Sequence, residues 1–196
     1  MSYRIRDFLL ATMGIVLLSP LALLIALLLR LTQGRGFFVQ MRPGLHGIPF
    51  RLIKFSTLYD APPGQDEALK QRERLTPLGR YLRAASLDEL PQLLNVWKGD
   101  MSLIGPRPLL MEYLSLYTPE ERRRHHVRPG ITGWAQVHGR NALRFKDRFC
   151  YDLWYVDHRS HLLDLKIVWM TFRQIFRREG VYADAETTSP RYDGTN

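Results

Sequence analysis

The chain has 196 residues, 45% of them hydrophobic, with 28 Lys and Arg against 19 Asp and Glu and a net charge of +9. That composition excludes a disordered, collagen-like or coiled-coil chain. The single cysteine, Cys150, excludes an intramolecular disulfide framework, a thiolate-rich zinc site and an iron–sulfur cage, while the basic excess points to an anionic partner: nucleic acid, an acidic membrane face or a phosphorylated substrate.

Taken in chain order, the first element is apolar. Phe8 to Leu29 carries no charged side chain, and a run of about 20 apolar residues is long enough to cross a bilayer core as a helix. It is too long for the hydrophobic region of a signal peptide, and Arg30 and Arg35 follow where small residues would mark a cleavage site. Ser19-Pro20 sits at its middle, where proline removes a backbone donor and the Ser19 hydroxyl is placed to satisfy the freed carbonyl. Both flanks are basic: Arg4 and Arg6 before, then Arg30, Arg35, Arg42, Arg51 and Lys54 after, with no acid between Arg30 and Asp60. Positive flanks prefer the cytoplasm. A helix–break–helix hairpin keeps both on one side, and a Pro-kinked span with one short basic tail outside is the alternative.

Phe37 to Phe55 reads as strand, Pro43-Gly44 turn, strand. Asp60 to Asp66 is a loop. Glu67 to Ala85 is helix-forming, interrupted at Thr76-Pro77. Ser86 to Gly99 is a helix whose apolar face is Leu90, Leu93, Leu94 and Trp97, with Gly99 as its stop. Gly105-Pro-Arg-Pro108 is a rigid loop opening another helix, Pro119 to His126 is a charged helix, and Val127 to Arg140 is a structured loop. Phe145 to Tyr155 and Leu162 to Arg178 are helical. The second aligns Leu162, Leu165, Val168, Trp169, Phe172, Ile175 and Phe176 on one side, as a core-facing stripe or as an interfacial membrane face.

Asp88-Glu89 is the acidic pair that can carry chemistry. Pro91 is tolerated only within a first helical turn, so a helix starts near Asp88 and its dipole favours the ionised carboxylate there. Such a pair can hold Mg²⁺ or present a nucleophile. The alternative is capping, since Ser86-x-x-Glu89 fits a capping box. Arg107, stiffened by Pro106 and Pro108, suits bidentate phosphate recognition, and Lys54 ends the second strand. Cations around a carboxylate pair equip a site for phosphoryl transfer. The histidines show no metal spacing, and Gly-rich phosphate loops are absent. A membrane-anchored nucleic-acid module explains the charge but not Asp88-Glu89 or the rigid Pro-Arg-Pro loop; a structural membrane anchor with no chemistry is the second alternative.

Three blocks carry a resemblance: Ser86-Leu-Asp-Glu-Leu-Pro-Gln-Leu-Leu-Asn-Val96, Lys98-Gly-Asp-Met-Ser-Leu-Ile-Gly-Pro-Arg-Pro108 and Arg128-Pro-Gly-Ile-Thr-Gly-Trp-Ala-Gln-Val137. They resemble the bacterial sugar transferases, the small monotopic phosphoglycosyl transferases that act on polyprenyl phosphate, over nearly the whole chain. The resemblance implies transfer of sugar-1-phosphate from a UDP-sugar to undecaprenyl phosphate with release of UMP, as the first membrane step of glycoconjugate assembly. It implies Asp88 as nucleophile of a phosphosugar–aspartyl intermediate, Glu89 assisting, and Mg²⁺ held by Asp88 and Glu89. Lys54, Arg83, Arg107, Pro108 and Arg140 match its substrate-binding positions, and Ser19-Pro20 matches its re-entrant membrane break.

The expected fold is therefore α+β and mainly helical. A membrane-inserted helix–break–helix spans residues 1–34, and residues 35–196 form a catalytic domain with a short β-hairpin and interfacial amphipathic helices. The expected location is the cytoplasmic face of the bacterial inner membrane. Its partners are membrane lipids, the two substrates, and a second copy or downstream glycosyltransferases, with no nucleic acid.

Overall fold

The computed structural model of the protein describes residues 2–60, 74–139, 143–177 and 192–194. Seven α-helices and four short strands make a mainly helical α+β unit among those residues. The loop expected at 60–66 and the first part of the helix expected at 67–85 fall largely outside them.

Helix α1 runs Tyr3–Gln33, ended by Gly34 in the left-handed conformation (φ 75°), whose N–H donates to the Arg30 carbonyl. The expected break at Ser19-Pro20 does not end the helix; Pro20 lies inside one helical element. Its missing N–H frees the Val16 carbonyl, and the Ser19 hydroxyl donates to that oxygen at 3.0 Å. Both limbs of α1 pack on the same body. In the first, Ala11 joins Phe50, Leu52, Val96 and Met101, Gly14 lies against Leu93, and the Arg4 guanidinium donates to the Val96 and Trp97 carbonyls at 2.6 Å each. In the second, Ile25 and Leu29 pack with Phe55 and Leu82. Between the limbs, Val16 and Leu17 point outward.

Strands β1 (Phe37–Pro43) and β2 (Pro49–Phe55) form the expected antiparallel hairpin, with Phe38 opposite Lys54 and Arg42 opposite Phe50. Helix α2 (Pro77–Ala84) starts as the Thr-Pro pair predicts: Thr76 caps it by accepting from the Gly79 N–H at 2.9 Å, and Pro77 occupies the first turn.

Helix α3 is Gln92–Lys98, so the helix start expected near Asp88 is displaced to Pro91, and a 3₁₀ turn, Leu87–Glu89, leads into it. Its buried face also differs from the expected one: Leu94 and Trp97 are exposed, while Gln92, Asn95 and Val96 are buried. Asn95 is inside because β2 has an unpaired edge. Its Oδ1 accepts from the Ile53 N–H (3.1 Å) and its Nδ2 donates to the Arg51 carbonyl (2.7 Å), giving the strand the partners a third strand would have supplied.

Strands β3 (Ser102–Ile104) and β4 (Gly130–Thr132) pair in parallel, and with helix Trp134–Gly139 they replace most of the structured loop expected for 127–140. Glycine is required at this crossing: a Cβ on Gly130 would lie 2.1 Å from the Gly105 nitrogen. Helix α4 (Pro119–Arg122) is closed by a Thr118–Glu121 capping box and continues as a 3₁₀ segment to His126. Helix α5 (Trp134–Gly139) follows β4, and helices α6 (Phe145–His158) and α7 (His161–Arg177) complete the domain. On α7, Asp164 and Ile167 face inward, whereas Leu162 (79% exposed), Leu165, Trp169 (70% exposed) and Phe172 face out, away from the domain core.

Two charged networks lock the layers. Arg6 bridges Asp7 (3.1 Å) and Asp164 (2.6 Å); Asp164 accepts from the Tyr155 hydroxyl and Asp7 from the Ser102 hydroxyl, joining α1, β3, α6 and α7. Arg124 pairs with Asp152 at 2.6 Å, both side chains only 1% exposed. A buried charge left without its partner is destabilising by roughly 3–5 kcal/mol. Asp152→Ala should therefore lower the thermal midpoint of the detergent-solubilised protein sharply. Asp157→Ala, which breaks the exposed pair with Arg123, should leave that midpoint where it was.

Candidate active site

The site forms where β2, the 3₁₀ turn before α3 and the loop after β3 converge. Ser86 turns the chain in the left-handed region (φ 56°, ψ 20°), a conformation costly for a residue with a Cβ and common at functional sites. Its side chain makes no capping bond, so the capping box that the spacing allows does not form. The turn points the two carboxylates of Leu87-Asp88-Glu89 differently. Glu89 Oε1 accepts from Lys54 Nζ at 2.6 Å and from Arg107 Nη2 at 3.0 Å. Asp88 is buried, 9% exposed, and its carboxylate takes no hydrogen bond or ion pair among the described residues.

Electrostatics separates the two acids. Burial pushes the Glu89 carboxyl up, but Arg107 and Lys54 together outweigh it and hold the group at about 2. Burial raises the Asp88 carboxyl above its ordinary value; Lys54 opposes the rise, and the neighbouring Glu89 charge adds to it. The expectation that a helix start favours ionised Asp88 is thus reversed, because the helix begins at Gln92 and burial governs Asp88.

The Pro-Arg-Pro loop is held from behind. The Gly130 N–H donates to the Pro106 carbonyl at 3.0 Å, and the Gly105 N–H donates to the Thr132 carbonyl at 2.9 Å. Arg124, fixed by Asp152, donates through Nη2 to the Arg107 carbonyl at 2.8 Å. Two prolines, a strand contact and a buried ion pair therefore fix where the Arg107 guanidinium starts.

In front of these groups lies a cavity of about 200 Å³ lined by Arg42, Lys54, Arg107, Arg148, Gln92 and Pro108 among others. Of the positions singled out in the sequence, Lys54, Arg107 and Pro108 line it directly, and Glu89 is bound to two of its cations. Arg83 donates to the Thr57 hydroxyl at 3.0 Å and lies within electrostatic reach of Asp88. Arg140 lies outside the described residues. Ser19 and Pro20 belong to α1, apart from the cavity lining.

Sequence reading missed Arg42, Gln92 and Arg148 in this lining and the Arg124–Asp152 pair behind it. Arg42 counted only as part of a basic flank. Arg148 and Asp152 are separated by one helical turn on α6, which reads as an ordinary surface pair until the fold buries it.

Among the described residues, no group of three or more His, Cys, Asp or Glu side chains forms a protein cage for a metal. Two carboxylates are nevertheless the hard oxygen set that Mg²⁺ takes when substrate phosphates and water complete its shell. One Glu89 oxygen is taken by Lys54 and Arg107; the other, with the Asp88 carboxylate, fits that donor set.

This is the equipment of a site for transferring a phosphate-bearing group, and comparison with known proteins bears on it. The family described as bacterial sugar transferase matches residues 1–178. The uncharacterized sugar transferase EpsL of Bacillus subtilis is 49% identical over 189 residues, covering 96% of this chain and 91% of that protein. The UDP-glucose:undecaprenyl-phosphate glucose-1-phosphate transferase of Caulobacter vibrioides is 42% identical over 190 residues, covering 91% of this chain and 71% of that protein. The undecaprenyl-phosphate galactose phosphotransferase of Salmonella typhimurium is 34% identical, and the match spans 91% of this chain but 41% of that longer protein. With a family match across most of its length and relatives of this identity and coverage, the chain belongs to the bacterial sugar transferase family.

Proposed function

We propose that the protein is a phosphoglycosyl transferase that moves sugar-1-phosphate from a UDP-sugar to undecaprenyl phosphate, through a covalent intermediate on Asp88. The observation that carries this reading is the asymmetry of the carboxylate pair. Glu89 is committed to Lys54 and Arg107, whereas Asp88, within electrostatic reach of the same cations, takes no hydrogen bond or ion pair among the described residues. The activities for which the Caulobacter and Salmonella relatives are named support the acceptor, and that of the Caulobacter relative supports the donor.

In the first step an Asp88 oxygen attacks the sugar-bearing β-phosphorus. The bond from that phosphorus to the bridging oxygen breaks, and the oxygen leaves with its electron pair on UMP. In the second step an oxygen of undecaprenyl phosphate attacks the same phosphorus and the Asp88 carboxylate departs. With both phosphate monoesters as dianions, charge balances and no proton need move. A carboxylate serves both steps because it is basic enough to attack and stable enough to leave. Lys54 and Arg107 neutralise the phosphoryl oxygens and keep Glu89 ionised. Mg²⁺ held by Asp88 and Glu89 would supply further charge neutralisation as two anionic phosphates meet.

The acceptor is a lipid, so the site must work at a membrane surface, and several features support the cytoplasmic face of the inner membrane. Both limbs of α1 pack on one body, so a straight crossing would pull one limb away from its partners. The outward apolar residues lie around the Ser19-Pro20 position, and the hydroxyl of Ser19 meets the need for a donor that lipid cannot supply. This supports a re-entrant anchor. The outward stripe Leu162, Leu165, Trp169 and Phe172, beside exposed Lys166 and Arg173, supports an interfacial role for α7. The lipid-linked product stays at that surface, where downstream glycosyltransferases would meet it.

Three outcomes test this reading. UDP-sugar labelled in the β-phosphate, given without lipid acceptor, should leave label on wild-type protein and release UMP once per enzyme. Asp88→Asn should take no label; labelling that persists there and vanishes in Glu89→Gln would move the nucleophile to Glu89. Lys54→Met removes a cation that favours both ionised carboxylates, so the acid limb of the kcat/KM profile should move to higher pH, by about one unit; an unmoved limb would detach Lys54 from the nucleophile. Cysteines placed at Ser2 and at Gln33 should both resist a membrane-impermeant thiol reagent added outside intact cells, and labelling at one of them would reject the re-entrant anchor.

A further inference from the structure

We propose that the part of the cavity lined by Arg42 and Arg148 is the subsite for the nucleotide-side phosphate of the donor, the group that leaves on UMP. The inference rests on the donor reading above and assigns two residues that neither the motifs nor the resemblance singled out.

On the hairpin, Arg42 stands opposite Phe50, four residues along β2 from Lys54, so two of the lining cations are set apart along the strand. Lys54 and Arg107 already share the Glu89 carboxylate. Arg42 and Arg148 face the same space. Arg148 is 7% exposed, and its guanidinium lies 4.9 Å from the centre of the Phe145 ring, which fixes it against an aromatic wall. Arg42 gives Nη2 to the Gln40 side chain at 2.6 Å, while its buried Nε has no hydrogen-bond partner among the described residues. Burial, and then repulsion from Arg107, lowers both guanidiniums, Arg42 to about 10. Four cations, Arg42, Lys54, Arg107 and Arg148, thus line one small space, and such a concentration of positive charge suits an anion.

Charge and access decide which anion. Arg107 shares the cavity lining with Lys54, Arg42 and Arg148 and lies within electrostatic reach of both Glu89 and the two arginines, so a diphosphate that it contacts could place one phosphate near Lys54 and the other near Arg42 and Arg148. Lys54 and Glu89 adjoin Phe55, Leu87 and Leu90, which pack on Ile25 and Leu29 of the membrane helix. Arg148 itself adjoins the cluster of Leu109, Tyr113, Tyr117, Phe145, Phe149 and Tyr192, in which no α1 residue takes part, while Arg42 lies across the hairpin from Phe50, which packs on Ala11 in the first limb of α1. A lipid-borne phosphate arrives from the α1 side; a water-soluble nucleotide fits the Arg148 side. When the β-phosphorus–oxygen bond breaks, the bridging oxygen carries its electron pair onto the nucleotide phosphate. Arg42 and Arg148 are the groups positioned to meet that charge.

The test uses the full chain in detergent, with a UDP-sugar that supports wild-type turnover and with polyprenyl phosphate. Arg42→Gln and Arg148→Gln should each raise KM for the UDP-sugar and the inhibition constant of added UMP by about tenfold or more, with KM for polyprenyl phosphate changed by less than about twofold. Arg→Lys at each position should recover part of the loss, and is read in place of a Gln variant whose thermal midpoint falls. A rise in the acceptor KM instead would make this the lipid-phosphate site and overturn the assignment. Unchanged donor KM and UMP inhibition would overturn it as well. Wild-type protein that releases no UMP from any UDP-sugar would reject the donor reading itself, an outcome separate from normal turnover in unaffected variants.

Discussion

One carboxylate held by two cations organises this protein. Glu89 comes from a 3₁₀ turn, Lys54 from the end of a β-hairpin and Arg107 from a proline-stiffened loop, and the three meet on a single oxygen. Each pair of unlike charges would gain little at an open surface. Here the Glu89 side chain is only 14% exposed, so the pairing fixes three separate segments relative to one another and sets the ionisation of both acids. Everything behind the site serves that convergence. Asn95 completes the edge of the strand that carries Lys54. The β3–β4 crossing seats the loop that carries Arg107, and the Arg124–Asp152 pair secures that loop from the other side.

The parts legible in the sequence are those where local chemistry dictates structure. The hairpin follows from β-formers around Pro43-Gly44, the start of α2 from Thr76-Pro77, and the stiffness of the Arg107 loop from its two prolines. The carboxylate pair and its cations could be named because residue type and motif order carry that information. What could not be read depends on tertiary contact. Leu94 and Trp97 lost the inward face of α3 to Gln92 and Asn95, because a strand edge needed hydrogen bonds more than the core needed another leucine. Three-residue parallel strands leave no periodicity to detect. Arg148 and Asp152 sit on a helix of mixed polarity, where nothing local marks them as buried.

The site and the apolar surfaces answer a single physical demand: two phosphates, one of them on a lipid, must be brought together. Cations do this at the site, and lysines and arginines scattered over the rest of the chain favour an anionic membrane face. The apolar stripe of α7, the outward side of α1 and Phe37, Phe38, Val39 and Met41 of β1 are exposed hydrophobic surfaces among the described residues that a water-filled surrounding would penalise and an interface would reward.

The packing of α1 has a consequence for how such a protein can be taken apart. Ala11, Ile25 and Leu29 are buried against Phe50, Phe55, Leu82, Val96 and Met101, so the hydrophobic helix supplies part of the domain's own interior. It is not a tether fastened to a finished globule. Cutting it away to make a soluble fragment would strip the covering from the strand that carries Lys54 and from the helix that follows Glu89. Exchanging it between relatives would demand matched changes at the positions it covers. Helix α1 and the rest of the domain therefore share one hydrophobic interior, and each constrains which side chains the other can carry.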